Sequence, residues 1–321
     1  MIRYVIKRLL MMIPIMIGVS AFLFFLLALA PGDPALISLG TEATEEQLEL
    51  FRAQYGLDKP LIIQYFNYML GVAQGDLGVS YHTKQAVSSM IAERAGNSMT
   101  LSFASYALTI IISMPLGVSM AIKQNSFYDS FMRVVTIVFT SMPQFWLALM
   151  MVLLFAVQLR WLPPSGLGSF KAYIMPIVCL AFSGITMCGR TGRSSMLEVI
   201  NQDYIRTARA KGLRRGYIIR RHALKNALLP MVSVYGRIIS HCFTGSVVLE
   251  TIFGIHGLGQ MMFAALRQKD VPAIMGSIIV SACTVTVVNL ATDLCYAFID
   301  PRIKSKYVSR KRRPEAVMAS E

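Results

Sequence analysis

Residues 9–30 form a run of 22 amino acids without a charge. A helix rises about 1.5 Å per residue, so this run suffices to cross the ~30 Å hydrocarbon core of a bilayer. A short basic start (Arg3, Lys7, Arg8) precedes it, and the rigid turn Pro31-Gly32-Asp33-Pro34 follows. A secretory leader starts similarly, but its apolar part is shorter and a small-residue cleavage site comes next. The run is therefore read as an uncleaved first span. Five further apolar stretches occur at 98–122, 134–159, 173–189, 231–253 and 274–299. Pro115 and Gly117 interrupt the first of these, Pro143 kinks the second near Trp146, and Pro176 falls in the short third one. The expected fold is an all-α membrane protein with six transmembrane helices.

Charge separates the partners such a chain can have. Hydrophobic residues make up 55% of the sequence and mean hydropathy is +0.55. A net charge of +14 raises the question of nucleic acid. Positive charge flanking long apolar runs instead marks the cytoplasmic loops of membrane proteins. With the N-terminus placed inside, 22 of the 31 Lys and Arg residues fall in cytoplasmic segments, 8 fall outside, and Arg237 lies within a span. Both termini are thus expected in the cytoplasm, with no nucleic-acid partner.

Residues 31–97 are the one long polar stretch between spans, with eight acidic and four basic residues. Thr44-Glu45-Glu46-Gln47 has the pattern of a helix start, and 45–55 is amphipathic. A second amphipathic piece, 61–72, contains Tyr65, Phe66 and Tyr68 and is expected to lie at the membrane interface. Gly75-Asp76-Leu77-Gly78 reads as a turn. The chain is therefore divided into a first span with a small helical cap (1–97), a five-helix core with a cytoplasmic loop at 190–229 (98–299), and a basic tail (300–321). The tail is read either as a contact for anionic lipid or as a disordered segment.

The loop carries the strongest local pattern. Between Asp203 and Pro230 the chain reads DYIRTARAKGLRRGYIIRRHALKNALLP. Asp203 is an N-cap candidate and Gly212 a helix stop, which gives about two helical turns, a break and a second basic helix running into Pro230. Spacings of three and four put Tyr204, Ile205 and Ala208 on one face, and small Ala208 and Ala210 permit close approach to another protein.

These residues carry a resemblance. Thr207-Ala208-Arg209-Ala210-Lys211-Gly212-Leu213, followed by Arg221-His222-Ala223-Leu224 and Leu229-Pro230, is similar to the cytoplasmic coupling loop of integral membrane permeases in binding-protein-dependent ABC importers. The branch it resembles is the dipeptide/oligopeptide/nickel one. Pro31-Gly32-Asp33-Pro34, Tyr55-Gly56-Leu57-Asp58, Gly75-Asp76-Leu77-Gly78, Glu250-Thr251-Ile252-Phe253, Gly257-Leu258-Gly259 and Asp300-Pro301-Arg302 extend the resemblance over almost the whole chain. His256 departs from it, standing where the family has proline. The resemblance implies the type I importer permease fold in a bacterial cytoplasmic membrane. It implies a second permease subunit, two cytoplasmic ATP-binding subunits and an extracytoplasmic substrate-binding protein. It further implies that Asp203, Tyr204, Ile205, Thr207, Ala208, Arg209, Ala210, Gly212 and Leu213 couple to the ATPase. Peptide is the expected cargo; nickel or a metal chelate is the alternative.

The chain has no phosphate loop of its own, because the Gly212 to Gly216 segment lacks the Lys-Ser/Thr pair and follows no strand. ATP is thus expected on partner subunits, with no cofactor and no catalysis here. The four histidines lack ligand spacing, and the five cysteines lie in or beside apolar runs without a CxxC pair, so no metal site is expected. Charges inside spans are costly and mark function. Arg237 and His241 are four apart on one helix, and Asp293 is at a similar depth on the next. Either Arg237 and Asp293 pair or line the path, or each has separate polar neighbours. Glu250 is expected to tie down the turn at 253–259. A secondary transporter would need inverted repeats, and none is visible. An intramembrane enzyme would need a carboxylate pair or a His/Asp/Ser cluster, also absent.

Overall fold

The computed structural model describes residues 2–166, 168–243 and 247–299, so the expected tail at 300–321 lies outside the described residues. Among these, every regular element is helical apart from one isolated antiparallel bridge between Val79 and Ala86. The first helix, α1 (Ile2–Leu29), is followed by three short ones: α2 (Pro34–Leu39), α3 (Glu45–Tyr55) and α4 (Leu61–Ala73). Then come α5 (Val87–Ile122), α6 (Phe127–Ser141), and α7 (Gln144–Met151) with its π-helical continuation Val152–Gln158. The chain continues with α8 (Phe170–Ile200), α9 (Asp203–Ala210) and α10 (Arg215–Tyr217), the last leading through a π-helical turn (Ile218–Ala223) into α11 (Leu224–Phe243). Three helices close the order: α12 (Val247–Ile252), α13 (Leu258–Arg267) and α14 (Val271–Ile299).

Local sequence explains the cap. Thr44 accepts the Gln47 amide while Gln47 returns a side-chain acceptor to the Thr44 amide, so the box that starts α3 is complete. Gly56 ends α3 at φ +67°, a left-handed cap that suits glycine. Asp33 caps α2 through the Ala35 amide and also binds Arg52 of α3 at 2.6 Å. Phe51, Tyr55 and Tyr81 form an aromatic cluster, with the Lys84 ammonium 4.5 Å from the Phe51 centroid. Asp270, buried just ahead of α14, accepts from the Ser80 hydroxyl and from the Tyr81 amide at 3.1 Å. Lys269 beside it donates to the Ala30 and Gly32 carbonyls at 2.6 and 2.9 Å, satisfying the end of α1. The cap is thereby fastened to both the first and the last long helices.

One cap element, α4, packs against α1. The Tyr65 hydroxyl meets Ser20 Oγ at 2.9 Å and donates to the Ile17 carbonyl at 3.0 Å, while Met69 also reaches Ser20. Phe24 and Phe25 stack against Tyr65 from the next turn of α1. Ser20 lies nine residues, about 14 Å, inside the end of α1 at Leu29. Other apolar side chains of α4, Ile62 and Phe66 among them, stay exposed.

The bundle is built around α5 and α8. Glycine makes their close approach available: a Cβ on Gly117 would stand 2.7 Å from the Gly189 carbonyl, and one on Gly184 would stand 2.9 Å from Thr109. Buried Ser98, Ser102, Ser105, Thr109 and Ser113 line the same face of α5. Such small and hydroxylated residues are the usual glue where apolar burial drives nothing in lipid.

Among the described residues, four helical stretches are long and apolar enough to cross a membrane: Arg8–Leu29, Val87–Ile122, Phe170–Ile200 and Val271–Leu294. A fifth is obtained if α6 and α7 count as one. The expected kinked span at 134–159 is in fact broken, for α6 and α7 meet at 102° across Met142-Pro143. Pro143 lacks an amide hydrogen and bars the preceding residue from helical geometry, so the ladder stops there. Pro115 and Pro176, by contrast, sit inside helices that run on without a break. The expected span at 231–253 also differs: α11 starts at Leu224, passes through Pro230 and stops at Phe243, and α12 is a separate short helix. With Lys225, Asn226 and Arg237 on board, α11 is not among the stretches apolar enough to cross.

Candidate functional site

At the basic end of the bundle, α9 stands as a separate two-turn helix. Gln202, rather than Asp203, occupies its N-cap; Asp203 is the first helical residue, where its negative charge still complements the helix dipole. Gly212 follows at φ +76°, the left-handed conformation that ends the helix and turns the chain toward α10.

The two faces of α9 differ sharply. Ile205 and Ala208 are buried, packed with Ala121, Met196 and Ala227 from the ends of α5, α8 and α11 and with Ile218 and Ala223 of the π-helical turn. Tyr204, Arg206, Thr207, Arg209, Ala210 and Leu213 are exposed. The Tyr204 hydroxyl accepts from Asn226 Nδ2 of α11 at 2.7 Å, while Tyr204 itself stays exposed. Thr207 Oγ1 donates to the Asp203 carbonyl at 3.0 Å.

Further bonds tie the helix ends around α9 to one another. Ser195 Oγ donates to the Ala227 carbonyl at 2.8 Å, and Arg215 donates to the Ile122 carbonyl at 3.1 Å. Beneath α9 lies a cavity of about 470 Å³, floored by Ala121, Leu197, Ile200 and Ile218 and rimmed by Arg209 and Arg215.

A second feature at this end escaped the sequence reading. Asp129, at the start of α6, is fully buried and binds Arg193 of α8 at 2.7 and 2.8 Å, with Arg133 at 3.8 Å. Residues 123–133 fall between the apolar stretches 98–122 and 134–159, yet α6 already begins at Phe127. The signal was present in Ser126 three residues before Asp129, and Ser126 Oγ accepts the Asp129 amide.

The charges expected in the path are not brought together as a pair. Asp293 binds Arg8 of α1 at 2.7 Å, not Arg237. Arg237 is exposed on α11, and the His241 side chain lies outside the described residues. Sequence spacing gave α11 and α14 a common depth, but only packing shows that α1 is the neighbour that reaches Asp293.

At the cap end, Glu250 of α12 is buried and holds a turn together. It accepts from Ser98 Oγ at 2.9 Å and from the Gln260 amide at 2.8 Å, and Ser98 accepts the Leu258 amide at 2.8 Å. A Cβ on Gly257 would come within 2.5 Å of both Glu250 and Ser98. The glycine is thus required by the carboxylate it touches. His256 presents its carbonyl to Asn97 at 2.9 Å.

An all-helical bundle with several membrane-length helices, a fastened cap and a basic elbow defines a multi-pass membrane protein. The comparisons specify it further. Residues 113–305 match the family described as binding-protein-dependent transport system inner membrane component, and residues 1–104 match its N-terminal counterpart. The chain belongs to this family of multi-pass bacterial inner-membrane permeases. A protein of Brucella suis named a putative peptide permease is 37% identical over 95% of this chain and 99% of its own. The Escherichia coli glutathione transport system permease GsiC is 35% identical, over 95% of this chain and all of its own. The Bacillus subtilis oligopeptide transport system permease AppB is 36% identical over the same share of this chain. Among solved structures, the inward-facing methionine ABC transporter MetNI superposes with a TM-score of 0.57 at 18% identity, over 66% of this chain and 97% of that one. That likeness bears on the fold alone.

Proposed function

We propose that this chain is the membrane-spanning permease subunit of an ATP-driven importer of peptides. The carrying observation is the full-length similarity to permeases named for peptide, oligopeptide and glutathione transport. The outward face of α9 supports it. In this reading Tyr204, Thr207, Arg209, Ala210 and Leu213 face a cytoplasmic ATP-binding subunit, with Asp203 at the start of the helix and Gly212 at its end. Ile205 and Ala208 instead seat the helix on the permease, so that force on α9 passes into α5, α8 and α11. A rigid block of this kind tilts spans between two states when the motor closes.

The assembly in this reading holds a second permease, two ATP-binding subunits that carry the ATP, and an extracytoplasmic binding protein that docks on the cap side. Six spans follow when α11 and the α6–α7 pair each count as one, with both termini in the cytoplasm. Arg237, His241 and Asp293 belong to the cytoplasmic third of the path or its wall.

Reconstitution with the companion subunits into vesicles tests the proposal. ATP-dependent uptake of labelled di- to pentapeptides, abolished without the ATP-binding subunits, is the expected result. ATP-dependent uptake of nickel alone would replace the cargo, and uptake driven by an ion gradient without ATPase would overturn the reading.

A further inference from the structure

We infer that the break between α6 and α7 is a peptide-contacting station in the translocation path, formed by Thr140, Ser141, Gln144, Phe145 and Trp146. The inference rests on the permease reading above and names residues for it.

Depth is the first argument. The apolar part of α8 runs over residues 173–189 before Arg190, and its middle is at Ala181, between Cys179 and Phe182. Phe139, two residues before the end of α6, lies against Phe182 with ring centroids 4.3 Å apart. Met151, at the end of α7, touches Cys179 through sulfur at 3.2 Å. The 102° break between them is therefore close to the middle of the bilayer, whichever way α8 is oriented.

A helix end at that depth faces a strict requirement. Backbone groups outside a helix are tolerated within the hydrocarbon only where protein buries them or a watery cavity meets them. This chain does not bury the break: Thr140, Ser141, Phe145 and Trp146 are exposed, the last two by 50% and 42%. Tryptophan facing lipid belongs at the interfaces, not at mid-membrane. A hydrated path enclosed between this chain and the second permease satisfies both facts.

The chemistry suits a peptide main chain. Thr140 and Ser141 spend their hydroxyl protons on the Thr136 and Ile137 carbonyls, at 2.6 and 3.0 Å. Their oxygen lone pairs remain as acceptors for substrate N–H groups. Across the break, α7 opens at Pro143 without a side-chain cap, and the Gln144 amide side chain supplies both donor and acceptor. Acceptors on one side and donors on the other match the alternation along any peptide backbone. The exposed rings of Phe145 and Trp146 offer a surface for side chains of any kind. Such a station accepts many sequences and selects none.

Thiol accessibility tests it. Ser141→Cys is placed in the assembled complex in native membranes and treated with a charged, impermeant methanethiosulfonate. Because the thiolate forms only where water reaches, labelling about tenfold faster than the native cysteine background is expected, slowed by a saturating peptide. No labelling above background, or labelling that peptide leaves unchanged, overturns the station; Thr140→Cys provides the same readout if Ser141→Cys fails to assemble. Peptide uptake by the unsubstituted complex is measured alongside. If that uptake is present and the cysteine is unlabelled, only the station falls; if uptake is absent, the permease reading itself falls.

Discussion

Asp129 and Arg193 form a two-point clasp: Arg193 donates through Nε to Oδ1 at 2.7 Å and through Nη2 to Oδ2 at 2.8 Å, with the carboxylate wholly buried. Arg193 lies on α8 seven residues before its end, next to the block that carries α9. The clasp is thus a link between the elbow and the broken α6–α7 pair. Removing one partner of a fully buried pair costs about 3–5 kcal/mol; Arg193 keeps 17% of its side chain exposed, so the cost here falls below that. Asp129→Ala is therefore expected to lower the unfolding transition in detergent markedly. The double change Asp129→Leu with Arg193→Met is expected to regain most of that loss, since apolar replacements of similar volume are often neutral.

The turn around Glu250 gives a second expectation. Ser98→Ala strips one bond from a buried carboxylate, which costs about 1.5–3 kcal/mol for a hydrogen bond to a charged group. Gly257→Ala should be worse, because its Cβ would meet both Glu250 and Ser98 at 2.5 Å. Thermal unfolding of the purified subunit should rank them in that order. Equal stability of Gly257→Ala and the native chain would contradict the geometry.

Gly212 gives a third. A β-branched side chain at φ +76° is strained, at a cost of roughly 1–2 kcal/mol for a left-handed residue, while open space surrounds the site. Gly212→Val should therefore insert and accumulate normally but displace α10 relative to α9. Co-purification with the ATP-binding subunits and ATP-driven uptake should both fall, and normal uptake would remove Gly212 from coupling.

The cap should respond to acid. Burial pushes the Asp33 carboxyl upward, but the Arg52 hydrogen bond and the Ala35 amide outweigh it and hold it below its ordinary value of 3.8. A carboxylate depressed in the folded state contributes stability that is present above its unfolded value and is lost as pH falls through the folded one. Proteolysis of the 31–59 region should thus be unchanged from neutral pH down to about 5 and accelerate below about 4. Arg52→Gln should bring faster cleavage already at neutral pH.

Several elements were legible in the sequence because their causes are local. The α3 helix, from Glu45 to Tyr55 with its capping box and terminal glycine, follows from five residues and their spacing. The separateness of α9 follows from Gly212, and the role of Glu250 in its turn follows from the small residues around it. Other elements depend on neighbours far along the chain. Nothing near Asp293 in sequence announces Arg8, 285 positions earlier. Nor does the amphipathic pattern of α4 reveal that Tyr65 meets Ser20 of α1, since periodicity marks a face but not the surface opposite.

What the chain determined by itself was its class. Long uncharged runs with cation-rich flanks admit only a helical membrane protein, because unpaired backbone groups are intolerable in hydrocarbon. The basic elbow was equally plain, being a contiguous motif. Only the tertiary structure decided that Pro143 breaks its span instead of bending it, which face of α9 is turned inward, and which charges pair. Those outcomes depend on distances between segments that the chain order leaves free, and close packing resolves them only once the helices are assembled.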